Sequence, residues 1–161
     1  MATSVTIQPQ AAVLGLPVCV SDDVLAAAVA LHEHGGGQIV TLNAEMSMAA
    51  LADPALEAAI RGADLVIPDG AGVVWALGRQ GIRVRRSPGI ELARHLLEHA
   101  AAQGWRVALV GSSPRVLEGL CPRLAREIPG LKLVMAIHGF ADPRAWPGPM
   151  AGPVTNGYRR P

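Results

Sequence analysis

The stretch RVALVGSSPRVLEGLCPRLAREIPGLKLVMAI, residues 106–137, decides the fold. Apolar runs at 106–110 and 131–137 flank a segment whose apolar residues recur at helical spacing. That spacing is carried by Leu117, Leu120, Cys121, Leu124 and Ile128. Gly111 and Pro129 mark the two connections. A strand, helix and strand of this length form a crossover between parallel strands, so the stretch predicts an α/β fold.

The same alternation continues towards the N-terminus. Strands are predicted at 38–42 and 65–67, and an edge strand or strand pair at 14–20, since Pro17 lies within that run. The predicted helices run from Asp23 to about His32, from Ala44, from Asp53-Pro54, from Ala71 to Gln80 and from Ile90 to Gln103. We therefore expect a Rossmann-like, doubly wound and mainly parallel sheet.

The composition is typical of a soluble globular protein. The chain has 161 residues, 50% of them hydrophobic, and a net charge of +1. This argues for one domain and against intrinsic disorder. Nucleic-acid binding needs a basic patch and usually stacking aromatics, and a chain with only 3% aromatic residues and a net charge of +1 gives no support to it. No apolar run approaches the roughly 18 residues of a membrane span, and no signal peptide is recognised. Two distant cysteines form no CxxC motif. We expect a cytoplasmic protein.

Three polar clusters follow predicted strands, where open α/β sheets bind their ligands. They are Thr41-Leu42-Asn43, Pro68-Asp69-Gly70 and Gly111-Ser112-Ser113. Asp69 directly follows an apolar strand, so its carboxylate is a candidate general base at the rim of the sheet. The alternative is that Pro-Asp-Gly is ordinary turn chemistry.

The other two clusters also leave alternatives open. Thr41 and Asn43 fall on one side of an extended strand and could hydrogen-bond a sugar or nucleotide, or Asn43 could cap the next helix. Gly111 and Ser112 open a helix whose backbone N–H groups could bind phosphate. The alternative there is a serine-capped helix start. That loop matches neither a Walker A sequence nor GxGxxG.

The basic and histidine residues give weaker indications. Arg79, Arg83, Arg85 and Arg86 lie close together, and an arginine in such a loop could hold a diphosphate or contact anionic lipid. For Arg79 and Arg83 we favour a solvated basic loop. His95 and its neighbours are not expected to bind a metal. No D-x-D motif is present, so the usual carboxylate pair that holds a divalent metal on a sugar nucleotide is missing, and we predict no metal site. No cofactor is predicted either.

Taken together, four segments resemble one known family. TLNAE (41–45), ADLVIPDGAGVV (63–74), RSPGIE (86–91) and WRVALVGSSP (105–114) occur in its order and spacing. The chain is identified as resembling the WecG/TagA/CpsF glycosyltransferases, glycosyltransferase family 26, over about residues 13–140. The resemblance implies an inverting, metal-independent transfer of an N-acetylmannosamine-type hexosamine. The donor would be a UDP-sugar and the acceptor a polyprenyl-diphosphate-linked N-acetylglucosamine, in bacterial cell-surface polysaccharide synthesis.

The resemblance also implies roles for individual residues. Asp69 matches the catalytic base, and Thr41 and Asn43 match substrate-pocket positions. Arg86 matches the arginine that stabilises the diphosphate, and the Gly111-Ser112 loop would lie beside the nucleotide. Peripheral contact with the inner face of the cytoplasmic membrane is implied as well.

The chain also departs from the family pattern. Later strands, a glycine-rich loop ending in P-x-Q-E and a C-terminal appendage are expected but not found, and the segment from Arg144 does not resemble the family. We therefore expect a truncated or frameshifted member: an N-terminal tail (1–12), a glycosyltransferase domain (13–140) with a sheet incomplete at its C-terminal side, and an irregular Pro/Gly/Arg-rich tail (141–161). Missing strands would favour homo-oligomers.

Two alternative functions stay open at this point. The first is an inactive remnant that binds UDP or partners with other chains without catalysis. The second is a Rossmann oxidoreductase, which we disfavour because the chain lacks GxGxxG and the acidic residue that follows it.

Overall fold

A computed structural model describes residues 10–140 of the chain. That range contains six strands and six helices. They are β1 (Gln10–Val13), β2 (Leu16–Cys19), α1 (Val24–Glu33), β3 (Ile39–Leu42), α2 (Ala44–Ala50), α3 (Pro54–Arg61), β4 (Leu65–Pro68), α4 (Ala71–Arg79), α5 (Gly89–Gln103), β5 (Arg106–Val110), α6 (Pro114–Glu127) and β6 (Lys132–Ile137). The chain divides after Arg94, inside α5, into two compact units.

The first unit contains an antiparallel hairpin and a parallel strand pair. β1 pairs with β2, and the turn between them uses positive φ angles at Leu14 (50°) and Gly15 (79°). The run 14–20 therefore supplies only the second strand of a pair, because the first strand begins at Gln10. β3 pairs in parallel with β4, and β2 packs beside β4.

The core of the first unit forms around β4. All four residues of this strand are buried, as the uninterrupted apolar run Leu65–Pro68 requires of a strand covered on both faces. Side chains from the hairpin, β3 and the helices complete the cluster. Its buried members are Val13, Leu16, Val18, Leu42, Ala50, Ile60, Val66, Val73 and Leu77.

The second unit contains the predicted crossover. β5 and β6 pair in parallel with a register shift at Val107/Ala108, and α6 connects them. Leu117, Leu124 and Ile128 of the predicted stripe are buried. In contrast to β4, the strands of this pair are half-buried or exposed along their whole length.

The helix boundaries confirm the signals in the sequence. The carboxylate of Asp23 accepts a hydrogen bond from the N–H of Ala26, and Asp53 caps α3 with Pro54 in its first turn. Gly104 ends α5 with φ 68°.

The fold class is confirmed as α/β with parallel strand pairs, consistent with an incomplete Rossmann-like fold. The domain limits stay an interpretation. β1 begins inside the predicted N-terminal tail (1–12), while residues 1–9 and the tail 141–161 lie outside the described residues. Among the helices of residues 10–140, none is long and apolar enough to cross a membrane.

Candidate functional site

The carboxyl ends of β3 and β4 bring three predicted residues to one edge. The pairs Thr41↔Ile67 and Leu42↔Pro68 place Asn43 opposite Asp69 one step further along. The N–H of Asp69 donates to the carbonyl of Leu42 (2.8 Å), which extends the ladder to that step. Since alternate residues share a face, Thr41, Asn43 and Asp69 lie on the same side of the pair.

The start of α5 closes this edge. The N–H of Gly89 donates to Oδ2 of Asp69 (3.3 Å), and the N–H of Ser87 donates to the carbonyl of Pro68 (3.0 Å). A Cβ at position 89 would lie 2.7 Å from Cγ2 of Thr41, so only glycine fits there without displacement. Gly89 thus contacts both Thr41 and Asp69.

The carboxylate of Asp69 is half-buried and held by one oxygen. Its Oδ1 forms no hydrogen bond to a residue in the described part of the chain, while Oδ2 accepts from Gly89. An N–H at a helix N-terminus favours a negatively charged group. The arrangement leaves one oxygen available to accept a proton from a bound hydroxyl.

Asn43 caps a helix with its side-chain oxygen and keeps its side-chain N–H group as a hydrogen-bond donor. Its Oδ1 accepts from the N–H of Met46 (2.8 Å), and its carbonyl accepts from Oγ of the buried Ser47 (2.8 Å). Asn43 therefore caps α2, as the structural alternative predicts. The side-chain amide nitrogen faces no partner within residues 10–140, so a ligand contact is compatible with the cap.

The helices α2 and α4 start close together at this edge. A Cβ on Gly72 would lie 2.9 Å from Cβ of Ala44, which makes this approach dependent on glycine. Gly70, with φ 93°, precedes α4 and carries no side chain to cap it. The first N–H groups of α4 are therefore left without a side-chain acceptor and remain available to a ligand.

Arg86 lies beside this group along the chain. Its side chain is exposed, and it directly precedes Ser87, whose N–H bonds to β4. No ion pair joins Arg86 to another described residue. The guanidinium is therefore available to bind an anion.

Gly111 and Ser112 belong to the second unit, at the carboxyl end of β5. Gly111 (φ 131°) donates its N–H to the carbonyl of Ile137, and Ser112 (φ 63°) accepts from the N–H of Gly139. Ser113 occupies the capping position of α6 but makes no side-chain capping bond. Ser113 therefore stands at the start of α6, as the alternative interpretation predicts, but its hydroxyl does not cap the helix. The hydrogen bonds of this loop are formed by backbone groups.

The histidines and Cys121 are further candidate ligands or nucleophiles in the described part of the chain. Within residues 10–140 no cluster of three His, Cys, Asp or Glu side chains could hold a metal ion. His95 is exposed, and the ring of His99 packs edge-on against Trp105 at 5.0 Å between centroids. Burial raises the pKa of the Cys121 thiol, which disfavours its reactive thiolate form.

A comparison with known protein families identifies the family of the chain. The family model "Glycosyl transferase WecG/TagA/CpsF family" matches residues 11–148. The chain belongs to this family. The match runs past Phe140, where we expected the resemblance to end, and past Arg144, from which we expected no resemblance.

Two curated relatives within the family share the same name, N-acetylglucosaminyldiphosphoundecaprenol N-acetyl-beta-D-mannosaminyltransferase. The protein from Bacillus spizizenii is 32% identical over 113 residues, covering 70% of this chain and 42% of the relative. The protein from Bacillus subtilis (strain 168) is 27% identical over 110 residues, covering 68% of this chain and 43% of the relative. The chain therefore spans less than half the length of these relatives.

One residue of the site escaped the sequence analysis. Gly89 lies inside the quoted RSPGIE segment, but the helix was predicted to begin at Ile90, and no role was assigned to the glycine. Nothing in the local pattern marked the glycine, because the contact with Thr41 that requires it joins residues far apart in the chain.

Proposed function

We propose that this chain carries a glycosyltransferase site of the family type. The reaction moves an N-acetylmannosamine-type hexosamine from a UDP-sugar to a lipid-diphosphate-linked N-acetylglucosamine. Family membership and the names of the two relatives support this acceptor and this sugar. Because the acceptor carries a lipid, the reaction takes place at a membrane surface, which for this family is the inner face of the cytoplasmic membrane.

The observation that carries the proposal is the half-engaged carboxylate of Asp69. With Oδ2 held by Gly89, Oδ1 takes the proton from the acceptor hydroxyl. The acceptor oxygen then forms a bond to the anomeric carbon while the bond from that carbon to the UDP oxygen breaks. Attack opposite the leaving group inverts the anomeric centre, and the electron pair of the broken bond leaves with UDP.

The remaining predicted residues bind the two substrates. Thr41 and the free amide of Asn43 hydrogen-bond sugar hydroxyls at the edge that they share with Asp69. Arg86 offsets the negative charge that grows on the diphosphate as UDP leaves. Gly111 and Ser112 contact the nucleotide through backbone groups.

Replacing the proposed base tests this mechanism directly. Asp69→Asn keeps an acceptor for the Gly89 N–H but cannot take the proton. We expect UDP release with a lipid-diphosphate acceptor to fall by about 10²- to 10⁴-fold, with UDP affinity nearly unchanged. Asp22→Asn, at an exposed carboxylate before α1, is the matched control and keeps full activity. Equal activity of wild type and Asp69→Asn would contradict the assignment.

The second candidate is a binding remnant without turnover. It would bind UDP through the exposed Arg86 guanidinium, without transfer of the sugar. Calorimetric titration with UDP separates the candidates when it is run beside the release assay. Binding of UDP with no release from the UDP-sugar under any acceptor condition supports the remnant, and turnover by the wild-type chain excludes it.

A further inference from the structure

Residues 71–90 form a segment with positive charge only. It contains Arg79, Arg83, Arg85 and Arg86 and neither Asp nor Glu. All four arginines are exposed, and none forms an ion pair with another residue in the range 10–140. Such a concentration of unpaired charge attracts an anionic surface.

The loop after α4 is anchored on its inner side. Ile82 and Val84 pack against the core of the first unit, so the alternating Arg83 and Arg85 point outward. The N–H of Ile82 donates to the carbonyl of Leu77 (3.0 Å), and Nε2 of Gln80 donates to the carbonyl of Ala12 (2.9 Å). The backbone that carries the outward-pointing guanidinium groups is therefore held in place by these contacts.

Exposed apolar side chains flank these arginines. Trp75 is 70% exposed and lies one turn before Arg79, on the side of α4 opposite the buried Val73 and Leu77. Ile90, which is 80% exposed, follows the loop directly. A tryptophan beside cations is typical of the membrane–water interface, where the ring lies among headgroups.

We propose that Trp75, Arg79, Arg83, Arg85 and Ile90 form a surface, here named the α4 surface, that docks on anionic phospholipid. The charge is complementary to such a membrane, and the exposed apolar side chains can enter the headgroup region. An aliphatic side chain like Ile90 does not stack on bases, which disfavours nucleic acid. Two copies of the chain meeting through this surface would bring like charges together.

The α4 surface continues into the candidate site. Ser87 bonds to the end of β4, and Gly89 bonds to the carboxylate of Asp69, within a few residues of Arg85. Docking would hold that carboxylate near the headgroup plane, where a lipid-linked acceptor presents its sugar. This consequence rests on the proposed function, whereas the docking itself does not.

Vesicle co-sedimentation of the full chain tests the charge of the surface. We expect binding to vesicles of phosphatidylcholine with 30% phosphatidylglycerol and much weaker binding to phosphatidylcholine alone. Arg83→Gln combined with Arg85→Gln should lower the partition coefficient on the order of 30-fold, and added salt should weaken the wild type. Arg115→Gln with Arg126→Gln removes two exposed arginines of α6 and serves as the charge-matched control, with a clearly smaller loss.

A second variant tests the apolar part. Trp75→Gln should lower the partition coefficient by about tenfold, while Val116→Gln, at an exposed apolar position of α6, leaves it unchanged. Wild-type tryptophan emission should shift to the blue on adding the anionic vesicles, and Trp75→Phe should lose most of this shift. Circular dichroism that matches the wild type verifies folding of each variant.

Several results would overturn the proposal. These are equal binding to neutral and anionic vesicles, equal losses in the α4 and α6 arginine variants, or tighter binding to a single-stranded oligonucleotide than to vesicles. A dimer that is lost in Trp75→Gln, without any vesicle binding, would assign the surface to a second copy. Turnover on a short-chain, water-soluble acceptor reports the proposed function separately. Activity there without vesicle binding refutes only the docking, and vesicle binding without activity refutes only the enzyme.

Discussion

The two parallel strand pairs share one topology and differ in what covers them. In the β3–β4 pair the second strand is buried along its whole length, and side chains of Thr41, Asn43 and Asp69 occupy its carboxyl edge. In the β5–β6 pair the strands are half-buried or exposed, and the carboxyl edge is shaped by backbone groups of Gly111, Ser112 and Gly139.

The difference indicates which strand pair can fix a reactive side chain in position. A fully packed strand holds the residue that follows it in one place, so a reactive carboxylate can be positioned there. A half-covered pair with a loop at positive φ suits contacts through backbone N–H groups, which tolerate side-chain changes. We infer that the first pair supports the reaction and the second supports binding.

The largest contrast should appear in matched leucine truncations. Leu65→Ala in β4, where the side chain is 1% exposed, should lower the free energy of unfolding by about 2–5 kcal/mol. Leu109→Ala in the half-buried β5 should cost about 1 kcal/mol. Urea unfolding followed by circular dichroism measures both. Equal losses would mean that the two strand pairs are equally well packed, which would contradict the proposed difference between them.

A methyl group at position 89 tests the close approach that closes the site. Gly89→Ala places a Cβ 2.7 Å from Cγ2 of Thr41 and should destabilise the chain by about 1–3 kcal/mol. It should also displace the N–H from Asp69 and lower turnover. Adding Thr41→Ala removes the clashing Cγ2 and leaves Cβ at 3.2 Å, so it should recover part of the stability, a coupling visible in the double-mutant cycle.

The control for this variant is a helical glycine in open space. Gly78 in α4 has no atom within 4 Å of an added Cβ, so Gly78→Ala should stabilise by about 0.5–1 kcal/mol. A loss at position 78 as large as at position 89 would show that helix disturbance, and not the contact with Thr41, causes the effect.

Asn43 allows its two roles to be separated. Asn43→Ala removes the cap of α2 and should cost about 1 kcal/mol of unfolding free energy. Asn43→Asp keeps a capping oxygen and should stay within about 0.5 kcal/mol of the wild type. Both variants lack the side-chain N–H donor, so both should bind the UDP-sugar more weakly. If Asn43→Asp binds like the wild type, Asn43 is only a cap.

The smallest expected change in stability concerns the loop after β5 in the second unit. Ser112 adopts φ 63°, which costs a residue with a Cβ some free energy that glycine avoids. Ser112→Gly should therefore raise the unfolding free energy by about 0.5 kcal/mol with UDP affinity retained. Ser113→Gly, at a neighbouring φ of −93°, should not raise it. A loss of UDP affinity in Ser112→Gly would show that the hydroxyl binds the nucleotide.

Local signals predicted most of the elements. Strand β5 has the predicted limits Arg106 and Val110, and α3 begins at Asp53-Pro54, because runs of apolar residues and capping side chains act over a few neighbours. Two of the polar clusters at strand ends were also predictable as neighbours, since the parallel order of β3 and β4 places Asn43 and Asp69 at one edge.

Long-range contacts were not predictable from one sequence. The first hairpin strand begins at Gln10, where the weakly apolar segment gives no signal of its own and the pairing with β2 decides the structure. The contact of Gly89 with both Thr41 and Asp69 joins residues far apart in the chain. Nor could the sequence distinguish the coverage of β4 from that of β5, since both strands are apolar runs.

The single hydrogen bond to the carboxylate of Asp69 makes its two oxygens different. The two oxygens of a free carboxylate are equivalent, and a half-turn exchanges them. Here the hydrogen bond from Gly89 to Oδ2 makes them different, since Oδ1 has no hydrogen-bond partner among the described residues. A hydroxyl that approaches the group therefore meets two unequal acceptors, one shared with a backbone N–H and one fully available.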